Sequence, residues 1–366
     1  DYLAEVKKQQ INPGVCKGAD LSVVYTPLNG TGNKLVRRVL SEIGVENVSI
    51  VKEQELPDGN FTTCSFPNPE IREALELGLQ MCDAVKPDLL LATDPDADRV
   101  GIAVPDSDGS YRLITGNETG IMLTDYILKC RKENSTLPEN PIVVKTIVST
   151  PLIKRICKKY GATMADVLTG FKYIGEIILG LEQKGETDNY VFGFEESYGY
   201  LAGSYVRDKD AVVASMLIAE MAAYYKKQGK SLSQVIDDLY HEYGYYYNKT
   251  LNFYFEGAEG MQKMSEIMSG LRADAPESLA GYTVQGICDY QNSTDTDLVS
   301  GETATINLPK SNVLSYSLEG GNAAIVRPSG TEPKIKLYLT SVGKTQEDAL
   351  NIMDKLEEAA TALLGV

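Results

Sequence analysis

The chain has 366 residues, of which 43% are hydrophobic and 23% are charged. This length predicts two or three domains with ample core. The net charge of −16, from 35 Lys and Arg against 51 Asp and Glu, argues against nucleic-acid binding, which needs a broad basic surface. No apolar run approaches the roughly 20 residues of a membrane-spanning helix, and no signal peptide is evident. We therefore expect a cytoplasmic protein that does not bind membranes.

Cysteine and histidine usage narrows the chemistry. The six cysteines are scattered without a CxxC pair, which is typical of reduced, mostly buried thiols. His241 is the only histidine, so a His-rich metal site is excluded and a Ser-His-Asp triad is disfavoured.

Strand and helix patterns alternate over residues 1–113. The segments LSVVYTP, NVSIV and PDLLLATD favour strands. GNKLVRRVLSEIG favours a helix that ends at Gly44, and NPEIREALELGLQMCDA a helix with Pro69 in its first turn. This order predicts a largely parallel sheet with helices on both faces. A hairpin with its turn at Asp108-Gly109 follows.

Residues 114–245 repeat this kind of pattern, and the composition changes from about residue 246. The repeat includes the strands PIVVKTIV, ATMADVL and NYVFGFE, a helix near 173–183, and two final helices. The last part has the strands YYYNKTLNFYF and KIKLYLTSV and a helix capped by Thr345. We predict an α/β protein with two doubly wound, mixed-sheet domains of similar topology, at 1–113 and 114–245. A smaller α+β domain at 246–366 follows.

The strongest chemical signal is LLLATDPDADR, in which an apolar strand leads into Asp94, Asp96 and Asp98. Three carboxylates this close repel one another unless a cation lies among them. Oxygen ligands select a hard ion, so we expect Mg²⁺. An EF-hand is excluded because Arg99 and Pro105 occupy its Gly and Glu positions. A solvated acidic turn is the structural alternative.

A second signal is FGFEESYGYLAGSYVRDKDA, where Glu195 and Ser197 follow an apolar strand. Such side chains suit hydrogen bonds to vicinal sugar hydroxyls, and Arg207 and Lys209 offer charge to a phosphate. A solvated turn explains the same residues equally well.

A third signal is RPSGTEPKIKLYL, in which Arg327, Ser329, Gly330 and Thr331 can donate several hydrogen bonds to one phosphate. A plain turn with incidental polar residues is the alternative.

Two lysines are weaker candidates. Lys145 lies at a predicted strand end, and Lys172 lies in TGFKYIG; either is equally well explained as a solvated surface charge. NGTGNKL at 29–35 is discounted as a dinucleotide fingerprint, because Leu35 replaces the last glycine.

In this order, the three stretches resemble the α-D-phosphohexomutase family, to which bacterial phosphoglucomutases and phosphomannomutases belong. TDPDADR resembles its metal-binding loop, GFEESYG its sugar-binding loop and RPSGTEPKIKLY its phosphate-binding loop. The resemblance covers essentially the whole chain and includes VYTPLNGTG, FPNPE and TGFKYIG.

The family has four domains, and its first carries a phosphorylated serine in a Thr-Ala-Ser-His-Asn-Pro-like loop. With only His241 available, no such loop exists here. The resemblance therefore implies that the chain corresponds to domains two to four and that, alone, it is inactive.

The resemblance also implies roles for the candidate residues. Asp94, Asp96 and Asp98 would bind Mg²⁺, with Arg99 assisting at the phosphoserine phosphate. Substrate would be held by the following residues: Lys145, Lys172, Glu195, Ser197, Arg207, Lys209, Arg327, Ser329, Gly330 and Thr331. Lys172 would also take part in catalysis.

The implied reaction moves phosphate between the 1- and 6-positions of a hexose phosphate, by way of the phosphoserine and a bisphosphate such as glucose 1,6-bisphosphate. Glucose is the favoured sugar, and mannose and pentose phosphates stay open. Two other functions stay open as well: a non-catalytic phosphosugar-binding protein, and a Mg²⁺-dependent sugar phosphatase. The phosphatase signature D-x-D-x-T is broken here, because Asp98 occupies the Thr position.

Overall fold

The computed structural model describes residues 1–255, 257–330 and 332–365. The chain forms two compact units, Asp1–Leu239 and Tyr240–Val366. Within the described ranges, no helix combines the length and apolarity needed to cross a membrane. The five cysteines at positions 16, 64, 82, 130 and 157 are buried and free, and Cys288 is partly exposed and free, which agrees with the prediction of mostly buried thiols.

The first unit contains two sheets. Its strands are β1 (Ser22–Thr26), β2 (Asn47–Ile50), β3 (Leu89–Thr93), β4 (Val100–Pro105), β5 (Tyr111–Ile114), β6 (Ile142–Thr146), β7 (Thr163–Val167), β8 (Tyr190–Glu195) and β9 (Gly199–Leu201). The sheet orders are β2-β1-β3-β4-β5 and β7-β6-β8-β9. In each sheet the first three strands are parallel and the next one is antiparallel. The predicted similarity of topology is confirmed.

Helices cover these sheets. They are α1 (Tyr2–Lys7), α2 (Gly32–Ile43), α3 (Glu76–Val85), α4 (Gly116–Glu133), α5 (Ile153–Tyr160), α6 (Phe171–Lys184), α7 (Ala211–Lys226) and α8 (Leu232–Tyr243). Gly44 ends α2 in the left-handed conformation (φ 99°), as the sequence predicts. Helix α7 is apolar on nearly every side and is buried along almost its whole length, as expected of a core helix.

The prediction that a helix begins near Pro69 is wrong. Only a 3₁₀ turn, Arg72–Leu75, precedes α3. The Asn68 carboxamide accepts a hydrogen bond from the Glu70 N–H (3.0 Å), and Ile71 is extended (φ −96°, ψ 125°). Asn side chains that satisfy nearby backbone groups compete with helix formation, so the helix begins one to two turns later.

The second unit is one antiparallel sheet with two helices. Its strands are β10 (Tyr245–Tyr254), β11 (Ser278–Leu279), β12 (Tyr282–Asp289), β13 (Thr294–Asp297), β14 (Thr303–Thr305), β15 (Leu314–Leu318), β16 (Ala323–Pro328) and β17 (Lys334–Gly343). The order is β10-β17-β16-β15-β12-β13-β14, and β11 pairs with β12. The helices are α9 (Gly257–Ala273) and α10 (Gln346–Leu364), and Thr345 caps α10.

The core of the second unit lies between one face of the sheet and the two helices. Met264 and Leu356 pack there with Ile335 and Leu337. The predicted α+β character of this region is confirmed. The division of the whole chain into three domains, at 113/114 and 245/246, stays a prediction.

Candidate functional site

The carboxylate cluster lies where β3 ends. All five residues of β3 are buried, and Asp94 follows at once. Its Oδ1 accepts hydrogen bonds from the N–H groups of Asp98 (3.0 Å) and Arg99 (2.9 Å), while Ala97 takes a left-handed conformation (φ 58°). This turn brings one carboxylate oxygen each of Asp94, Asp96 and Asp98 within 4.8 Å of one another. We call residues 94–99 the metal loop.

The electrostatics of the metal loop favour a bound cation. Burial raises the pKa of Asp94 to about 7. The negative charges of Asp98 and Asp96 also raise this pKa, whereas the backbone hydrogen bond from Arg99 lowers it. The Oδ1 atom of Asp98 is buried and, in the part of the chain that the structure describes, has no hydrogen-bond partner. A hard divalent ion would satisfy this oxygen and relieve the repulsion, so these residues fit Mg²⁺.

Two cationic side chains already contact the cluster. The Arg99 Nε lies 3.9 Å from Asp94 Oδ2 and 3.7 Å from Asp98 Oδ1. The Lys209 Nζ lies 2.7 Å from Asp98 Oδ2. Burial lowers the pKa of Lys209, but the hydrogen bond to Asp98 and the nearby carboxylates produce a net rise. Arg99 also reaches Glu70, at 3.1 Å.

The segment that carries Lys209 is anchored by Asp210, the N-cap of α7. The Asp210 carboxylate accepts from the N–H groups of Val212 (2.8 Å) and Val213 (3.3 Å). The hydroxyl of Tyr2 lies 2.7 and 2.8 Å from its two oxygens, and that of Tyr205 lies 2.5 Å from Oδ2. Asp210 therefore holds Lys209 at a defined place beside the metal loop.

Residues 195–199, which we call the sugar loop after the role predicted for them, lie beside the metal loop. The backbone N–H of Val100 donates to the carbonyl of Tyr198 (3.1 Å), and Arg99 forms an antiparallel bridge with Gly199. Tyr198 takes a positive φ of 66°. The structure thus brings together two segments that lie about a hundred residues apart in the sequence.

Within the sugar loop, the two glutamates differ in their surroundings. Glu195 is 8% exposed and accepts from the Gly170 N–H (2.8 Å). Burial, followed by the charge of Glu196, raises the pKa of Glu195. Glu196 accepts from the hydroxyls of Thr146 (3.0 Å) and Ser149 (3.4 Å). Ser197 is partly exposed and, unlike Glu196, makes no side-chain hydrogen bond with the described residues.

The sequence alone did not indicate that Gly30 and Gly199 pack closely against neighbouring segments. A Cβ on Gly30 would lie 2.4 Å from the Pro95 Cα, and a Cβ on Gly199 would lie 2.5 Å from the Lys209 Cδ. Thr31, which follows Gly30, donates from its backbone N–H to the Pro95 carbonyl (2.8 Å). The NGTG segment that we discounted as a nucleotide motif therefore packs directly against the metal loop.

The remaining predicted residues of this unit have different environments. The Lys145 amine is buried and binds the carbonyls of Thr146 and Ser149 (both 3.1 Å) and the Asp166 carboxylate (2.6 Å). Lys172 is exposed at the start of α6. Arg207 pairs with Glu182 (2.5 Å) and hydrogen-bonds the Ser204 carbonyl. Their assignment to the substrate stays a prediction, as it does for the other candidates.

The candidate phosphate loop lies in the second unit. Arg327, near the end of β16, faces Lys336 across the β16–β17 ladder. The side chain of Arg327 is partly exposed and forms no hydrogen bond or ion pair with the described residues. The Ser329 N–H donates to the Lys334 carbonyl (2.8 Å), and Gly330 is exposed. Thr331 lies outside the described residues.

Comparison with known proteins identifies the family. Residues 1–109 match the sequence family described as phosphoglucomutase/phosphomannomutase, alpha/beta/alpha domain II, and residues 115–243 match domain III of the same family. The chain belongs to the phosphoglucomutase/phosphomannomutase family. The fold predicted from the resemblance is confirmed.

Individual members of this family are longer than the chain. It is 38% identical over 322 residues to a phosphoglucomutase of Staphylococcus haemolyticus, covering 88% of this chain and 57% of the relative. It is 39% identical over 340 residues to that of Staphylococcus saprophyticus, covering 93% and 60%. The chain therefore spans less than two thirds of the length of these relatives.

Solved structures share the fold at low sequence identity. The Paramecium phosphoprotein pp63/parafusin, a phosphoglucomutase, aligns with a TM-score of 0.70 at 17% identity, covering 100% of this chain and 62% of that one. The Aspergillus fumigatus N-acetylphosphoglucosamine mutase, in complex with GlcNAc-6P and magnesium, aligns with a TM-score of 0.55 at 14% identity, covering 99% and 64%.

Proposed function

We propose that this chain provides the metal-, sugar- and phosphate-binding parts of a phosphohexomutase that interconverts glucose 1-phosphate and glucose 6-phosphate. The observation that carries the proposal is the junction of the metal loop with the sugar loop, through the Val100–Tyr198 hydrogen bond and the Arg99–Gly199 bridge. Glucose is favoured because the relatives at 36–39% identity are phosphoglucomutases. Mannose and pentose phosphates are the alternative substrates.

Asp94, Asp96 and Asp98 are the proposed Mg²⁺ ligands, and the Aspergillus relative solved with magnesium supports this choice of ion. The bound ion would neutralise charge on the phosphoryl group that is transferred. The backbone hydrogen bonds to Asp94 preset the loop, so little reorganisation is needed when charge develops.

The other side chains act on charge and orientation. Arg99 and Lys209 already lie beside the carboxylates, where they would stabilise the phosphate oxygens during transfer. Glu195 and Ser197 would bind sugar hydroxyls. Arg327, with no partner among the described residues, would hold the phosphate that is not transferred, through its planar guanidinium.

We propose that the serine that carries the phosphoryl group lies outside these 366 residues, in a further domain. The longer relatives have enough additional residues to contain such a domain. Phosphate would pass from that serine to the sugar phosphate, giving glucose 1,6-bisphosphate, and the other phosphate would return to the serine. The 366-residue chain is then expected to bind substrate without turnover.

The first test compares turnover of glucose 1-phosphate by the 366-residue chain and by the product of the complete reading frame. Formation of glucose 6-phosphate is followed in both, with Mg²⁺ and a trace of glucose 1,6-bisphosphate. Activity is expected only in the longer protein. Interconversion by the 366-residue chain would refute the need for an external serine, and steady phosphate release that Asp94→Asn abolishes would instead favour a phosphatase.

The second test concerns the phosphate loop. Arg327→Ala is expected to weaken glucose 1-phosphate binding by about 1.5–3 kcal/mol, the scale of a hydrogen bond to a charged group, as measured by calorimetry. Arg272→Ala is the matched control in the same unit, since Arg272 is paired with Asp289 and Asn312. Equal affinities in Arg327→Ala and wild type would contradict the assignment.

A further inference from the structure

A cavity of about 600 Å³ lies in the first unit, and none of its lining residues belongs to the metal loop or the sugar loop. Its size falls in the range of roughly 300–1,000 Å³ that is typical of small-molecule sites. The side chains that matter for its chemistry are those of Gln9, Arg131, Thr136, Thr187, Ser204 and Tyr205. They come from the N-terminal segment, the end of α4, the turn before β8 and the segment after β9.

Arg131 is the distinctive member of this lining. It lies in the last turn of α4, is partly buried, and its guanidinium forms no hydrogen bond or ion pair with any described residue. Burial lowers the pKa of Arg131, and Asp188, too far away to form an ion pair, offsets this only in part. A partly buried guanidinium without a partner costs free energy, which a bound anion would recover through the fork of N–H donors.

The rest of the lining favours a hydroxylated ligand. The hydroxyls of Thr187 and Ser204 make no hydrogen bond with the described residues, so both are available to a ligand. Glu5 and Asp188 also line the cavity, and their negative charge disfavours molecules with several anionic groups. The lining thus favours a ligand that has one anionic group, bound at Arg131, and several hydroxyl groups that face the other polar side chains.

We propose that this cavity binds a small polyhydroxylated molecule with a single carboxylate or phosphate group, which Arg131 holds. This site is distinct from the proposed substrate site and does not depend on it. Its wall is connected to the metal loop, because the Tyr205 hydroxyl donates to Asp210 (2.5 Å). The adjacent Lys209 contacts Asp98 (2.7 Å). Occupation is therefore expected to protect the backbone of segment 203–211 from hydrogen exchange, in addition to that of the cavity wall.

The test uses calorimetry with two probes, gluconate for the carboxylate and glycerol 3-phosphate for the phosphate, at millimolar concentrations. At least one is expected to bind the wild-type chain. Arg131→Gln is expected to weaken that binding about tenfold or more, as for the loss of a charge-assisted hydrogen bond. Arg38→Gln is the matched control, since Arg38 is an exposed arginine paired with Glu42 on α2. Arg131→Lys, which keeps the charge without the fork, is expected to bind with intermediate affinity.

Hydrogen exchange read by mass spectrometry locates the bound probe. Protection is expected in peptides covering 131–138 and 203–211. Because the Arg131 side chain has no hydrogen-bond or ion-pair partner among the described residues and its burial costs free energy, Arg131→Gln should fold with a melting temperature at least as high as that of the wild type. Failure of both probes to bind, equal binding by Arg131→Gln, or protection confined to residues 327–330 would each overturn the proposal. The last outcome would place the anion at the phosphate loop instead.

Discussion

Replacement of Asp210 by alanine tests how the fold positions the cation beside the metal loop. The carboxylate caps α7 through two backbone N–H groups and receives the hydroxyls of Tyr2 and Tyr205. Loss of an N-cap costs about 1 kcal/mol, and each of the two half-buried hydroxyls left without its charged acceptor costs about 1–2 kcal/mol. We therefore expect Asp210→Ala to lower the free energy of unfolding of the first unit by about 3–5 kcal/mol.

The assay is unfolding in urea, monitored by far-UV circular dichroism, in which the unfolding of each unit is fitted as a separate transition. Thr345→Ala is the matched control, because Thr345 caps α10 of the second unit through one hydrogen bond to the Asp348 N–H (3.1 Å) and receives no tyrosine. It should cost about 1 kcal/mol. Tyr205→Phe isolates one hydroxyl and should cost a similar amount. If Asp210→Ala costs no more than Thr345→Ala, the tyrosine hydrogen bonds contribute nothing and the reasoning fails.

Three further predictions follow from other contacts. Burial raises the pKa of Glu220, although backbone N–H groups and the Tyr126 hydroxyl donate hydrogen bonds to its carboxylate. The native state therefore binds the proton of this carboxyl group more tightly than the unfolded state does. The stability that this proton contributes is lost as pH rises through the folded-state pKa. The unfolding free energy of wild type relative to Glu220→Gln should thus increase as the pH is lowered from alkaline values towards the ordinary pKa of a glutamate, and a pH-independent difference would contradict this. Asp96→Asn should weaken Mg²⁺ binding about tenfold or more by calorimetry, whereas the exposed control Asp83→Asn should leave it unchanged. Gly30→Ala should destabilise the first unit by about 2 kcal/mol, because its Cβ would meet the Pro95 backbone at 2.4 Å; an unchanged urea midpoint would show that the loop can shift freely.

The local chemistry of short segments was sufficient to predict the order of strands and helices and the positions of the candidate loops. Apolar β3 followed by three aspartates, the Gly44 stop of α2 and the Thr345 cap of α10 are all properties of short segments. Their causes act within a few residues, through backbone sterics, capping and charge repulsion. For the same reason the repeated sheet topology could be read from the order of strands and helices alone.

The start of α3 depends on competing local preferences. Pro69 suits a first helical turn, yet the turn at Asn68 and the extended Ile71 delay the helix to Glu76. Two local preferences competed within one segment, and the sequence offered no means of ranking them.

The partners of each loop were decided only by the tertiary structure. Nothing near Asp98 in the sequence indicates Lys209 as its ion-pair partner, and nothing near Gly30 indicates Pro95 as its neighbour. Lys145, which the sequence placed at a strand end as either a ligand-binding group or a solvated surface charge, is buried with three partners of its own, and its assignment to the substrate stays a prediction. The residue types that we propose to bind metal, sugar and phosphate are thus contained in short motifs. Which charges face one another depends on packing between segments far apart in the chain, where burial and distance set the strength of every electrostatic interaction.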